Sequence, residues 1–410
     1  MSKLLSKISN TKLARFLKTN EQITVLKKLI KDNIRQYGMM MALVIIVIYF
    51  SIATNGISIL PLNVNNIILQ NAHVIILAVG MLIVILTGNI DLSVGSVAAF
   101  VGAMAGIMMV NNGVAWQLAV VICLIIGLLA GAWNGFWIAY IRIPAFIVTL
   151  GGMLIFRGLT LVVLKGITIG PLPDGFNRLS SGFMNDFLGG LFGLHLFTLV
   201  IGFIFSAIYV VSVILARKKK IKYQFDVAPT WVTILSSVLV VGAINLFTFT
   251  IAQHRGLPNV STILFIVILV YSFITNKTTL GRHIYALGGN QEAARLSGIN
   301  TKRTMFLVYM NMGLLSALSG IVYSARLNAS TPKAGELFEL DAIASSFIGG
   351  ASASGGVGTI IGAVIGALVM GVINNGMSLL GLGIDYQQLV KGLVLLLAVW
   401  FDIATKNRRK

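Results

Sequence analysis

The chain has 410 residues, 57% of them hydrophobic and only 10% charged, with a mean hydropathy of +0.92. A soluble domain carries roughly a quarter charged residues, so the composition excludes one and points to an all-α integral membrane protein. The formal charge of +19 raises nucleic acid as a partner, and the single cysteine, Cys123, excludes an intrachain disulfide and reads as a small packing residue.

In chain order, the first 37 residues form a basic arm holding nine Lys and Arg. Leu4, Leu5, Ile8, Leu26, Leu29 and Ile30 fall among them at helical spacing, a pattern that fits an amphipathic arm on an anionic membrane surface and equally a solvated tail. Apolar runs follow near 38–53, 67–86, 92–110, 115–139, 144–164, 192–215, 230–250, 257–275, 304–324, 338–350, 356–380 and 386–402. They predict about twelve transmembrane helices within one polytopic domain, 38–402, followed by a basic tail, 403–410. The first run has no small-residue cleavage site behind it and reads as a retained anchor. The run at 338–350 is too short for a full crossing; it is kept because an even number leaves both basic ends on one side.

With that topology the cations segregate. Nine in the arm, five in the run from Arg217 to Lys222, five in 276–303, four from Lys406 onward and Arg142 all share one side, 24 of the 31. The positive-inside rule makes that side, with both termini, the 216–229 loop and the 276–303 segment, cytoplasmic. The charge is therefore topology, and no nucleic acid is expected.

Two external segments, 165–191 and 326–337, are rich in Gly, Pro, Ser and Asn and form loops with turns. Gly127, Gly131 and Gly135 recur every four residues, as do Gly358, Gly362 and Gly366, spacing that lets a neighbouring helix approach closely. Each run lies by an Asn-Gly pair, at Asn134 and Asn375, which fits either an internal duplication or plain glycine packing.

Catalytic chemistry finds no support. There is no G-x-x-x-x-G-K-[ST] phosphate loop, and His73, His195, His254 and His283 lack metal-ligand spacing. No nucleophile elbow or paired-carboxylate site occurs, so no catalytic residue, cofactor or metal is expected. Ionisable residues inside the spans are few, which argues against a proton- or ion-driven carrier. Asp91 suits an N-cap for the helix after it, or a lining role together with Asn89. Lys391 can snorkel from the last span. Arg157 is deep enough to need a partner, and an intramembrane ion pair with Asp341 is the expectation.

One polar block interrupts this pattern: LGGNQEAARLSGIN, Leu287 to Asn300. Asn290 is a good N-cap, Gln291 and Glu292 suit the first turn, and Ala293, Ala294, Arg295, Leu296 and Ser297 continue a helix that Gly298 ends in a left-handed cap. Gly288 and Gly289 read as a hinge on the other side. Such a helix is suited to a partner's groove; a lid over a helix end fits the same residues.

LGGNQEAARLSGI resembles the cytoplasmic coupling segment of bacterial ABC-transporter permeases of the ribose/xylose branch. ILTGNIDLSVGS (85–96), IPAFIVTLGGMLIFRGLTL (143–161) and ELDAIASSFIGGASASGGVGTIIGAVIGALVMGVINNG (339–376) are similar to further motifs of that family, in the same order. The resemblance implies a homodimer in the bacterial plasma membrane, two cytoplasmic ATP-binding cassette ATPase subunits, and an extracytoplasmic sugar-binding protein. It also implies that Gly288, Gly289, Asn290, Glu292, Ala293, Ala294, Arg295, Ser297 and Gly298 form the ATPase-coupling helix. The ribose-type pattern has about ten spans; here an inserted pair, 192–215 and 230–250, is joined by the basic stretch RKKKIKYQ, and RGLPN follows at 255–259. That longer layout is similar to the xylose-type permeases and makes D-xylose the expected cargo, with ribose and galactose as alternatives. A conduit for an aldose needs weak, dispersed polar contacts; Asn89, Asp91, Asn134, Asn374 and Asn375 are the candidates, with interhelical hydrogen bonding as the competing role. External Arg178, Arg255, Arg326 and Lys333 are candidates for docking the binding protein. A self-sufficient secondary carrier and a purely structural membrane protein are the other classes, and neither explains the Gly-bounded helix.

Overall fold

The computed structural model describes residues 34–190, 193–225 and 227–407. The arm, up to residue 33, and the last three residues of the tail lie outside the described residues. Lipid offers no partner to backbone N–H and C=O groups, so apolar runs of this length satisfy them within helices. All twelve expected runs are helical. They are α1 Ile34–Ala53, α2 Pro61–Leu86, α3 Val94–Gly106, α4 Trp116–Phe136, α5 Ala145–Leu164, and, after the four-residue α6 Asp174–Asn177, α7 Leu196–Lys222, α8 Thr230–Ala252 and α9 Val260–Lys277. Two shorter helices, α10 Thr279–Gly289 and α11 Gln291–Leu296, precede α12 Thr301–Leu327, α13 Phe338–Ile348, α14 Ile360–Leu379 and α15 Ile384–Asn407. α3 and α4 each continue for five residues as a wider π turn, to Asn111 and Ile141. Among the described residues nine helices are long and apolar enough to cross a membrane, and no strand forms.

The described residues divide into two compact units, 39–184 with 257–407, and 34–38 with 185–256. In the larger unit α2 is the central helix: every residue from Asn71 to Leu86 is buried. Pro61 at its first turn presets the helical φ, so α2 starts six residues before its apolar run. α12 crosses α4 backbone to backbone, with Gly313 lodged between Gly127 and Gly131, and Ala317 and Tyr309 on either side. The second glycine run serves α13: Gly362 meets Gly349, and Gly366 meets the Ser345 carbonyl. Both glycine faces are thus spent within the chain. Gly358 stands outside α14, in a loop with positive φ, so the second run begins at Gly362. Cys123 is buried, its Sγ 3.6 Å from the Val101 carbonyl, as expected of a packing residue.

α13 has eleven residues, about 16 Å of helix against a hydrocarbon core of about 30 Å, so the short run is a half helix. The loops over 165–191 and 326–337 fold onto one another. Asn328 Oδ1 accepts from Leu172 N (2.7 Å) and Asn177 Nδ2 (2.8 Å), and Ile169 and Ser330 form an antiparallel bridge.

In the smaller unit, α7 and α8 pair through Gly202 against Thr248 and through Asn245 Nδ2 donating to Ser206 Oγ at 2.8 Å. Asp186 closes the start of α7, accepting from Leu196 N at 2.9 Å and Phe197 N at 3.1 Å. Desolvation opposes its ionisation, but those amides, that of Leu188 and nearby His195 hold the carboxyl below the usual carboxylate range. α7 runs on to Lys222, so most of the basic stretch expected as a loop over 216–229 is helical. Lys219, Lys220 and Lys222 occupy its last turn, where cations suit the helix dipole.

Candidate coupling surface and interior polar sites

The polar block folds as two helices. Thr278 caps α10, its hydroxyl accepting from Gly281 N at 3.2 Å; Asn290 caps α11, its Oδ1 accepting from Ala293 N at 3.0 Å; Asn300 caps α12 through Arg303 N at 3.0 Å. Gly298 has φ +84°, the left-handed stop expected, and Ile299 N closes on the Ala294 carbonyl at 3.1 Å. Ala294 is buried and holds α11 to the body, while Glu292 and Arg295 pair at 2.8 Å in water. Leu296, which motif reasoning passed over, is 83% exposed at the end of this helix. It is the one large apolar side chain on α11.

Gly288 and Gly289 close α10, and Gly288 is also a point of close approach. Both lie inside α10, and a Cβ on Gly288 would strike the Leu86 carbonyl and the Gly356 amide. Gly356 N also donates to Leu86 O at 2.9 Å, and Tyr285 Oη donates to Gly358 O at 2.7 Å. Burial pushes the Tyr285 phenol up, which keeps it a donor. α10 therefore packs directly on the last residue of α2 and on the loop that leads into α14, just before α11 begins. Thr359 caps α14 through Gly362 N at 3.1 Å.

The interior polar residues fall into two groups. In the first, Asn134 Nδ2 donates to Ser93 Oγ (2.8 Å), and Ser93 donates to Asp91 Oδ1 from both its hydroxyl (2.6 Å) and its amide (2.8 Å). Asp91 caps the turn at Ser93, and α3 begins at Val94. Asn89 lies beside them, bonded to Thr87 and 3.6 Å from Met305 Sδ. In the second group, Asn375 and Asn63 exchange amide hydrogen bonds of 2.8 and 3.0 Å, and Asn63 also donates to Ser58 O at 2.8 Å. Asn63 sits in the first turn of α2 and Asp91 just past its end. Twenty-six residues of helix put the two groups about 35–40 Å apart, so they line opposite ends of the molecule rather than one site. Asn63, missed because the expected span began at Ile67, was signalled by Pro61. Buried Asn65, both of whose amide atoms lack a hydrogen-bond partner among the described residues, was missed for the same reason; the Oδ1 atoms of Asn134 and Asn374 and the Tyr309 hydroxyl share that state.

The pairing of Arg157 with Asp341 does not form. Lys391 takes Asp341, at 2.9 and 3.0 Å, and joins α13 to α15. Arg157 instead donates to the carbonyls of Ala334 (2.7 Å) and Pro332 (3.2 Å), in the segment before α13. A guanidinium needs hydrogen-bond acceptors and finds them in carbonyls as well as carboxylates. Because one partner removed leaves the other charged and largely buried, Asp341→Asn and Lys391→Met should each destabilise by roughly 3 kcal/mol. In thermal unfolding, the double variant should lose clearly less than their sum, whereas Arg157→Met and Asp341→Asn should add; additivity for Asp341 with Lys391 would refute the pair.

Among the cations expected to dock a binding protein, Arg178, Lys333 and Arg255 are exposed. Arg326 is half-buried beside Tyr323, against which His73 and Phe338 also stack, and offers less of its surface than the other three.

The chain matches the family "Branched-chain amino acid transport system / permease component" over residues 63–399. It is 39% identical over 387 residues to the xylose transport system permease protein XylH of Haemophilus influenzae, covering 93% of this chain and 99% of that one. Identity to XylH of Escherichia coli K12 is 40% over 381 residues, 92% and 93% of the two chains. Identity to the ribose import permease protein RbsC of the same strain is 37% over 367 residues, 90% and 93%. No solved structure matches. These relatives are transport permeases, not enzymes, and with the apolar helices they make this a multi-pass protein of the bacterial inner membrane. The chain belongs to the bacterial ABC-importer permeases of the ribose/xylose branch.

Proposed function

We propose that the chain is the membrane-spanning subunit of an ATP-binding-cassette importer for D-xylose. In this reading it has twelve membrane segments within 38–402, with the arm 1–37, the segment 276–303 and the tail 403–410 cytoplasmic. It works as a homodimer on two ATPase subunits and receives the sugar from an extracytoplasmic binding protein. The observation that carries the reading is α11: an exposed helix, capped at both ends, that follows directly on α10, which packs on the end of α2 and the loop into α14. A secondary carrier has no use for it.

Other features support the same picture. Trp133, Phe136, Trp137 and Tyr140 stack at the end of α4 next to Arg142, as aromatic and basic residues do at a membrane interface. The α7–α8 pair is the longer layout that resembles xylose-type permeases, and relatives named for xylose align over nearly the whole chain. Asn89, Asp91 and Asn134 then belong to the cytoplasmic end of the path, and Asn374 and Asn375, with Asn63 and Asn65, to the external end. Arg178, Arg255 and Lys333 are the cations for meeting carboxylates on a binding protein, which steer docking more than they bind.

Uptake of labelled xylose, ribose, galactose and glucose in cells with and without the gene tests the assignment. Deletion should abolish xylose uptake, and the uptake should fail when ATP is depleted and persist when the proton gradient is collapsed. Loss of ribose or galactose uptake instead would change the cargo; ionophore sensitivity would overturn the ATP-driven class.

A further inference from the structure

α7 and α8 pack tightly over one half of their length and meet again through Arg217 near the end of the other half. Gly202 against Thr248 and the hydrogen bond from Asn245 to Ser206 hold the tightly packed half together. Along the other half a groove of about 710 Å³ opens between them, walled by Val210, Val213, Ile234, Val238 and Val241. That size suits a small-molecule ligand, for which pockets run from roughly 300 to 1,000 Å³.

The groove is not uniformly apolar. Its far end is closed by Arg217, which is half-buried and fixed in place: Nη1 donates to the Ala228 carbonyl (2.8 Å) and Thr233 Oγ1 (2.7 Å), and Nη2 donates to Thr230 Oγ1 (2.9 Å). A guanidinium has five N–H donors, so the Nε–H and one Nη2–H are left without an acceptor among the described residues. Next to it Lys218, Lys219, Lys220 and Lys222 are exposed on the last turns of α7. From Arg217 to Asp226 the sequence sets five cations against one acid, so this end carries a strong positive field.

An apolar groove in the membrane that ends at a preoriented guanidinium under a cluster of lysines has one matching occupant. We propose that it binds an anionic phospholipid, with the headgroup phosphate at Arg217 and an acyl chain along Val213, Ile234, Val238 and Val241. A phosphate diester supplies acceptors for the remaining N–H groups and neutralises the lysine field, while an acyl chain covers the valines. A transmembrane helix of a partner or a second copy would cover the valines but bring no anion to Arg217. Basic pockets between membrane helices bind acidic lipid headgroups on these grounds. The site depends on α7 and α8 lying in the bilayer, not on the cargo or on ATPase docking, so it stands or falls separately from the transport reading.

Native mass spectrometry of the full-length protein, released from micelles doped with phosphatidylglycerol or with phosphatidylcholine, tests it. The wild type should retain one phosphatidylglycerol per chain, at least about fivefold more strongly than phosphatidylcholine, the effect expected of one well-placed cation. Arg217→Gln should weaken retention of phosphatidylglycerol about fivefold. Gly242→Phe keeps every cation but fills the groove, and a side chain has open space there, so the fold should survive. This variant should lose the retained lipid. Equal retention of the two lipids by the wild type would overturn the proposal. So would phosphatidylglycerol held undiminished by Gly242→Phe, which would reduce the effect to surface attraction by the lysines. A lipid-free dimer that Gly242→Phe dissociates would overturn it in favour of a protein occupant.

Discussion

Replacing Gly313 with valine should leave almost no folded protein in the membrane. Gly313 lies where α12 crosses α4, and a Cβ there would meet the Gly127 carbonyl, with the amide and Cα of Gly131 at 2.5 and 2.6 Å. These are backbone atoms of a helix and cannot turn aside as a side chain can. The helices would have to separate along their whole crossing, and Ala317 and Tyr309 would lose their seats with them. Overpacking a tight core costs about 1–3 kcal/mol even where side chains can adjust, and here they cannot. Against a total stability of about 5–15 kcal/mol that is a large share. Gly158→Val on α5, where a Cβ meets nothing within 4 Å, is the matched control and should extract and melt as wild type. The yield of monodisperse protein after detergent extraction and its melting temperature decide the matter. A Gly313→Val protein with the wild-type melting temperature would mean that the two helices do not cross at these glycines.

The repeats of Gly127, Gly131 and Gly135 and of Gly362 and Gly366 were readable from spacing, and so was their role as close-approach faces. What spacing could not supply was the partner. Nothing in a four-residue period says whether the opposing backbone belongs to the same chain, and the answer came from Gly313 and Gly349, single glycines with no pattern of their own. All twelve apolar runs became helices because lipid leaves a backbone no alternative. Their ends were less legible: α2 starts at Pro61 and α7 runs to Lys222, since polar residues at a helix end cost little once they reach the interface.

The site divided in the same way. Asn290 and Gly298 act locally, one on the amide three residues on and the other through its own φ, so α11 could be read directly. Gly288 acts across the fold, on Leu86 and Gly356, a contact that local reasoning had no means to foresee. Arg157 shows the other limit. Sequence gives the depth of a charge along a span but not its direction around the helix. Asp341 is at a compatible depth for both Arg157 and Lys391, and only the packing of α13 against α15 chooses the lysine. The asparagines divide into two groups for a related reason: Asn134 and Asn375 look alike beside their glycines, yet α2 holds them at opposite ends.

Leu296→Asp should abolish co-purification of the ATPase subunits and sugar uptake together while leaving the amount of protein in the membrane unchanged. Leu296 projects into water from α11, so the chain itself loses nothing when it is replaced. Burying a Leu side chain in a partner's groove is worth about 1.5–3 kcal/mol, and a carboxylate in the same groove adds an uncompensated desolvation cost. The expected weakening of ATPase binding is therefore about a hundredfold or more, the scale of an interface hot spot. Glu292→Ala and Arg295→Ala remove one exposed ion pair, worth only a few tenths of a kcal/mol to the helix, so their smaller effects will report contacts with the partner. Undiminished co-purification with Leu296→Asp would remove α11 from the docking surface and leave α10 as a brace for the ends of α2 and α14 alone. Retained ATPase with lost uptake would mean that docking lies elsewhere and that α11 transmits force without supplying affinity.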